Sequence, residues 1–342
     1  MPKIVVTRNI GPDAMSLFDS SPFEIVVNPD DAAAPRAWVL KHLADPDVQG
    51  ICVMHADTVN QEFLDHCNPN LKVISTLSVG FDHIDVAGAN KKGIKVGHTP
   101  GVLSDAVADI TTMLVLMTMR RVEEGVQLVK SGEWPSLPWG PFVMCGPSIS
   151  ADNLTISFLG FGRISHEVLK RLLVFTSKSS PPTILYHSSR ARENQADLDA
   201  DFSRDFGLSV KRVEVDELAA KADILVVLCS MNKDTINLVN STFLQKMKKS
   251  AILVNAARGP IVNSEDLAEA LDNGTIYGAG LDVITGEPHV KADHPLVLSK
   301  RCVVLPHMGS ADFDTRKKMA SLCVRNAIAG ASQVVLPAEV KL

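Results

Sequence analysis

Arg258 closes the stretch VNAARG, Glu287 stands in DVITGEP, and His307 follows CVVLP. Each lies beside or beyond the carboxyl end of a run that reads as a strand. In an open α/β sheet, ligands bind in the crevice beyond the carboxyl ends of the strands. An arginine, a carboxylate and an imidazole delivered there by different strands can therefore form one site. Taken singly, each has a plainer reading: a surface arginine, an exposed glutamate, a satisfied histidine. Their joint placement is what points to chemistry.

A second constellation lies upstream, between Leu154 and Arg190. The apolar run of Ile156, Phe158 and Leu159 stops at Gly160-Phe161-Gly162-Arg163-Ile164-Ser165, after which Val168, Leu172 and Leu173 recur at helical spacing and a second apolar run ends at Tyr186. This is the strand, glycine turn, helix and parallel strand of a dinucleotide-binding unit. Its first glycine makes the tight turn, its second lets a pyrophosphate reach the backbone, and the helix N-terminus faces the phosphate charge. The third glycine of the pattern is here Ser165, small enough to keep helix and strand close. The bland reading is a glycine turn in some other α/β protein.

The end of the second strand bears on which dinucleotide is bound. A unit selective for NAD places an acid about 20 residues past the glycines for the ribose hydroxyls, whereas an arginine suits a 2′-phosphate. Here the strand runs out as Tyr186-His187-Ser188-Ser189-Arg190, Arg192 follows, and no acid precedes Glu193. The expectation is NADPH in preference to NADH, with Ser188, Ser189 and Arg190 around the phosphate. The plainer alternative is that Arg190 and Arg192 are solvated residues at a helix start, where positive charge is mildly unfavourable.

These residues need a scaffold, and the rest of the chain reads as one. Residues 3 to 99 alternate β-rich runs (KIVVT, EIVV, GICVM, LKVISTL, IKVGHT) with helical stretches, which implies a parallel sheet, and contain no glycine fingerprint. Within them the loop Leu77-Ser78-Val79-Gly80-Phe81-Asp82-His83 directly follows a buried strand. Its backbone N–H groups around Val79 and Gly80 can hold a carboxylate; it is equally readable as a plain strand-to-helix turn. After Pro100-Gly101, Ser104 can cap a helix through Met119 and onward to Lys130, apolar on all sides and hence buried. The segment Trp134-Pro135-Ser136-Leu137-Pro138-Trp139-Gly140-Pro141 cannot be helix or central strand. Beyond the glycine unit come LSVKRV, ADILVVLC, SAILVNAARG, TIYGAGLDV and CVVLP, then a last helix over roughly 312 to 329.

Composition sets outer limits. A chain of 342 residues exceeds one ordinary core, and 46% apolar with 21% charged residues is normal for a globular protein. A net charge of −5 gives no electrostatic reason to expect nucleic acid or an anionic membrane as partner. Cys52, Cys67, Cys145, Cys229, Cys302 and Cys323 show no CxxC spacing, so they read as free thiols of a reducing compartment, with neither disulfides nor a metal site. The N-terminal stretch carries no apolar signal segment, and no apolar run approaches the roughly 18 residues that span a bilayer. A cytoplasmic location is expected. The ending Val340-Lys341-Leu342 only half resembles the peroxisomal Ser-Lys-Leu address.

Taken together, GFGRI, VNAARG, GLDV with GEP, and LPHMGSA resemble the D-2-hydroxyacid dehydrogenases, and within them the glyoxylate/hydroxypyruvate reductase branch. The resemblance extends over LSVGFDHID, HTPGVLSDAVAD, the Trp-Pro loop, HPLVLSKRCVVLPH and the ending PAEVKL, and so over nearly the whole chain. It implies a doubly wound Rossmann cofactor domain (103–309) inserted in a smaller flavodoxin-like α/β substrate domain (1–102 and 310–342). It implies Arg258 orienting a 2-oxo acid, His307 as general acid and Glu287 as its partner. Val79 and Gly80 would take the substrate carboxylate. Cofactor contacts would come from Gly160, Phe161, Gly162, Arg163, Ile164, Cys229, Ser230, Ala256, Ala257, Asp282, Gly309 and Ser310 besides the strand-end residues. The assembly would be a homodimer with the Ser104 helix in its interface and Trp139 either reaching a neighbouring active site or serving as a structural tryptophan.

Chemistry agrees with those roles. The planar guanidinium fork binds a carboxylate bidentately, a protonated imidazole can neutralise the alkoxide that forms as hydride arrives, and a carboxylate on the other ring nitrogen stabilises that charged ring. Besides Ser165, the FTSKSSPPT segment and added residues in the Trp-Pro loop depart from the family pattern. The expected activity is NADPH-dependent reduction of glyoxylate and hydroxypyruvate, with NADH accepted less well. Two alternatives stand beside it: a dehydrogenase for a bulkier D-2-hydroxy acid, and a nucleotide-sensing binding protein on the same fold. Retention of Arg258, Glu287 and His307 together argues against the second.

Overall fold

A computed structural model describes the chain except for Asp31, Arg190, Arg192 and Leu342. Contacts divide it into two compact units, Met1–Leu103 with Ser310–Leu342, and Ser104–Gly309.

The first unit holds a parallel sheet of β1 (Lys3–Val6), β2 (Glu24–Val27), β3 (Val48–Val53), β4 (Val73–Thr76) and β5 (Lys95–Gly97), in the order β2-β1-β3-β4-β5. That order is the flavodoxin-like form of the doubly wound sheet. The interior strands are apolar and buried, while β2 at the edge is partly exposed. Helix Phe313–Ala331 returns to this sheet, started by Asp312, whose side chain accepts from the Thr315 N–H at 2.8 Å. It lies close because Gly330 has no side chain: a Cβ there would run into the side chain of Val73.

The second unit is a seven-stranded parallel sheet of β6 (Thr155–Leu159), β7 (Thr183–His187), β8 (Val210–Arg212), β9 (Ile224–Val227), β10 (Ile252–Asn255), β11 (Gly278–Leu281) and β12 (Cys302–Val304). Its order, β12-β11-β10-β9-β6-β7-β8, is that of the classical dinucleotide-binding fold extended by one strand, with the switch point between β6 and β9. The runs ILVV and ILVN are central and fully buried, as continuous apolar strands must be.

Helix Ser104–Met119 lies on β10 and β11, where Gly278 and Gly280 leave room for it; a Cβ on Gly280 would stand 2.7 Å from Thr118 Oγ1. The expected continuation to Lys130 is interrupted. Arg121 takes a left-handed conformation (φ 51°) and a separate helix, Val122–Lys130, begins after it. The Arg121 guanidinium donates from both Nε and Nη2 to Glu124 at 2.7 Å, a pairing across the break that residue periodicity does not reveal.

Candidate active site

β10, β11 and β12 are neighbours and parallel, so the segments that leave them emerge at one edge of the sheet. Arg258 follows β10, Glu287 follows β11 and His307 follows β12. His307 Nδ1 lies 2.8 Å from Glu287 Oε1, and the other carboxylate oxygen, Oε2, accepts the Ile284 N–H at 3.1 Å. An ionised carboxylate only accepts, so the hydrogen on this edge of the ring belongs to Nδ1.

His307 is also held in an unusual backbone conformation, with φ at 51°. Such a conformation in a residue with a Cβ costs of order 1–3 kcal/mol and persists only where surroundings enforce it. Asp282 enforces it. Its backbone carbonyl accepts the His307 N–H at 2.9 Å, and its two carboxylate oxygens accept those of Met308 and Gly309 at 2.9 and 2.8 Å. Burial pushes the Asp282 carboxyl up from the ordinary range, and the two amides pull in the opposite direction. Gly309 must lack a side chain, because a Cβ would stand 2.8 Å from Asp282 Oδ2.

Arg258 is positioned by Asn255, the buried polar residue that ends β10. The Asn255 amide donates to the Arg258 carbonyl at 2.9 Å and its oxygen accepts the Ala257 N–H at 3.0 Å; Arg258 Nη1 in turn donates to the Ala257 carbonyl at 2.7 Å. Gly259 brings this loop against the turn that carries Glu287: a Cβ there would lie within 2.5 Å of Ile284 O and Thr285 N, both rigid backbone. Gly259→Ala must therefore push the two segments apart. We expect it to lower stability by about 1–3 kcal/mol, the range of core overpacking, and to reduce turnover as well. A melting temperature and turnover equal to those of the parent would refute that role.

At the switch point, Gly160 has φ 89°, and a Cβ would stand 2.7 Å from the Cα and N of Cys229, which follows β9. Gly160 is thus fixed by both backbone conformation and space. Gly162 leads helix Arg163–Leu173, whose first turn has no side-chain cap, and a Cβ on Gly162 would meet nothing within 4 Å. Open space over uncapped N–H groups fits a pyrophosphate. Ser165 does more than replace a glycine: its hydroxyl donates to the Gly160 carbonyl at 2.8 Å and pins the turn. The Phe161 ring turns inward, stacking on Tyr186 at 4.7 Å, so that residue faces the loop only with its backbone. Burial pushes the Cys229 thiol up to about 11. Arg163, Ser189 and Ser230 are exposed, and Ile164, Ser188, Ala256 and Ala257 are half-buried. Arg190 and Arg192 lie outside the described residues.

In the first unit, the loop after β4 is braced by its own side chains and by Thr76 and His98. Ser78 Oγ donates to the Gly80 carbonyl at 2.6 Å, Thr76 Oγ1 lies 2.9 Å from Ser78 Oγ and 3.0 Å from His83 Nε2, and His98 Nδ1 lies 3.0 Å from the Val79 carbonyl. A planar trans peptide points its N–H opposite to its C=O. Tying back the Val79 and Gly80 carbonyls therefore directs the amides of Gly80 and Phe81 the other way. Trp139 is 96% exposed.

Among the described residues no group of three or more His, Cys, Asp or Glu is placed to hold a metal ion, and no helix is long and apolar enough to cross a membrane. Residues 112–309 match the family of the D-isomer specific 2-hydroxyacid dehydrogenase, NAD binding domain. The chain is 42% identical over 293 residues to the glyoxylate reductase/hydroxypyruvate reductase of Mus musculus, covering 86% of this chain and 84% of that one. To the Homo sapiens protein of the same name it is 38% identical over 341 residues, 99% and 98% of the two chains. It superimposes with a TM-score of 0.80 and 30% identity on the NADPH-dependent glyoxylate/hydroxypyruvate reductase of Sinorhizobium meliloti, solved with NADP and malonate, over 99% of this chain and 96% of that one. The fingerprint at the switch point and the histidine–glutamate pair on the same sheet thus belong to an NAD(P)-dependent oxidoreductase, a member of the D-isomer-specific 2-hydroxyacid dehydrogenase family.

Proposed function

We propose that the protein reduces small 2-oxo acids, glyoxylate to glycolate and hydroxypyruvate to D-glycerate, preferring NADPH and also accepting NADH. The observation that carries this reading is the oriented His307–Glu287 pair at 2.8 Å on the sheet edge that also bears the glycine turn. The relatives named above supply the substrate class. Residues 103–309 act as the cofactor domain, and 1–102 with 310–342 as the substrate domain.

When bound, the nicotinamide supplies the hydride. The chain's own residues do the rest. Arg258 clamps the substrate carboxylate with its planar fork and thereby fixes the oxo carbon, and the Val79–Gly80 segment is the carboxylate-binding loop of the substrate domain. As the oxo carbon gains the hydride, its oxygen takes the proton from His307 Nε2. Glu287 keeps the ring aligned throughout, and solvent restores the proton. In the reverse direction a neutral His307 accepts it. Asp282, with remaining lone pairs beyond those used by Met308 and Gly309, would help hold the bound cofactor as a hydrogen-bond acceptor.

Preference for NADPH rests on Ser188, Ser189 and Arg190 and on the lack of an acid before Glu193. The test is a panel of 2-oxo acids followed at the nicotinamide absorbance with each cofactor. We expect glyoxylate and hydroxypyruvate to lead the panel and kcat/KM for NADPH to exceed that for NADH clearly, with the ratio falling in Arg190→Ala. A bulkier oxo acid in the lead would remove the substrate assignment, and a parent ratio near one, or no fall in the variant, would remove the cofactor assignment.

The active form in this reading is a homodimer. Met113, Val174 and Phe175 are 38%, 79% and 45% exposed and, with Leu116, Met117 and Val122, make an apolar face along helix Ser104–Met119 suited to a second copy. The cysteines form no disulfide, which suits the cytoplasm.

A further inference from the structure

We propose that Arg212, at the end of β8 and in no motif, is a positioning residue that sets the preference for a 2′-phosphorylated adenosine, an inference that rests on the NADPH reading above. Arg212 pairs in register with Tyr186 of β7, two residues before Ser188. Its side chain is only 9% exposed, which is rare for an arginine. Nη2 donates to the Ser188 carbonyl at 2.9 Å, Nη1 to Glu214 Oε1 at 2.7 Å, and the backbone N–H to Asp199 Oδ2 at 3.0 Å. Nε is buried without a partner among the described residues. A hydrophobic residue would fill this position on a sheet without leaving a donor unmet, so packing alone does not account for the guanidinium.

Two consequences favour a phosphate. The first is geometric: with the Ser188 carbonyl drawn down to Nη2, the amide of Ser189 in the same planar peptide points away from the guanidinium. Ser189 is exposed, so the turn offers an N–H and a hydroxyl outward from a cationic base. The second is electrostatic, and it depends on what faces Arg212. Asp199 is already committed, accepting from the Tyr186 hydroxyl and from Gln195 Nε2, each at 2.8 Å, as well as from the Arg212 N–H. His187 places Nδ1 3.0 Å from the Val213 carbonyl. Glu214 is the exposed partner that offsets the charge, and its hydrogen bond from Arg212 holds its carboxyl below the usual range. The strand end where NAD-selective units carry an acid thus rests on a fixed cation.

Removing the cation and removing its counter-charge should move selectivity in opposite directions. A purely structural role would move neither. In the intact protein at saturating oxo acid, Arg212→Met should lower the NADPH/NADH ratio of kcat/KM by about tenfold, through KM for NADPH with kcat kept, as expected for a lost charge-assisted contact. Arg212→Lys, which keeps the charge without the fork, should fall between. Glu214→Gln should raise the ratio about twofold, the small effect of an exposed partner. Binding of 2′,5′-ADP should weaken in Arg212→Met while 5′-AMP changes less than twofold, a readout independent of turnover. If Arg212→Met fails to fold, the rise in Glu214→Gln still decides the matter. Equal losses for both cofactors and both nucleotides, or an unchanged ratio against a parent well above one, would overturn the role of Arg212 alone. A parent ratio near one would overturn it together with the NADPH reading.

Discussion

His307→Ala is expected to bind cofactor as the parent does and to lose about 10²–10⁴-fold in turnover, the usual contribution of a positioned general acid. The reason lies in how much of the structure is arranged around one nitrogen. Glu287 takes the Nδ1 side of the ring at 2.8 Å and is itself held by the Ile284 amide, so the ring cannot rotate without losing its bond to a fixed carboxylate. Asp282 holds the left-handed backbone beneath it. Alanine keeps the Cβ at that backbone position, so the substitution removes the imidazole with little other change. The loss should appear in kcat, because a proton reaches the oxo oxygen only as the hydride does. Cofactor fluorescence titration should give parental affinity. Near-normal turnover with glyoxylate or hydroxypyruvate would show that another group delivers the proton.

The second large effect is expected at Arg258, and it should fall on a different parameter. Arg258→Lys keeps a positive charge but exchanges a planar fork for a single ammonium, which is not a conservative change where a carboxylate is held bidentately. Hydrogen bonds to charged groups are worth about 1.5–3 kcal/mol, so loss of one arm corresponds to roughly tenfold to a hundredfold in kcat/KM, mainly as a higher KM for the oxo acid. Asn255 and Gly259 fix the backbone on either side, so the lysine starts from the same place as the arginine and the comparison isolates the head group. Catalytic efficiency equal to the parent would eliminate the clamp. Steady-state kinetics on both variants, side by side, would separate the proton donor from the carboxylate holder.

What the sequence discloses and what it conceals follows from range. Arg258, Glu287 and His307 are legible because each directly follows a strand whose apolar run is local, and parallel strands must release their loops at one edge. The glycine turn is legible for the same reason. Asp282 could be placed near the cofactor only through the family resemblance. Its bonds to Met308 and Gly309 span more than 20 residues, and nothing in GLDV announces them. The left-handed conformations of Arg121 and His307 are equally hidden, since neither is glycine or asparagine and each is imposed by contacts. Asn255 carries a readable signal, a polar residue ending a wholly apolar strand, but the sequence does not disclose that it bonds the Arg258 carbonyl. From sequence Ser165 is merely small, because its bond to Gly160 depends on how closely helix and strand pack.

The order of the units along the chain has a consequence in time. During synthesis, Ser104–Gly309 is complete as a folding unit before the segment that closes the other unit exists. Until Phe313–Ala331 is made, β3 and β4 lack the helix that covers them, Ser75 lacks the Cys323 carbonyl it bonds at 2.8 Å, and the His98 carbonyl lacks the Asn326 amide at 2.9 Å. The nascent chain therefore carries a finished nucleotide fold behind an unfinished sheet with its apolar face exposed. Cofactor present in the cell can stabilise the first by mass action while the second is still waiting. The half of the protein made first in part is the half completed last, and it is there that chaperone capture during translation should concentrate.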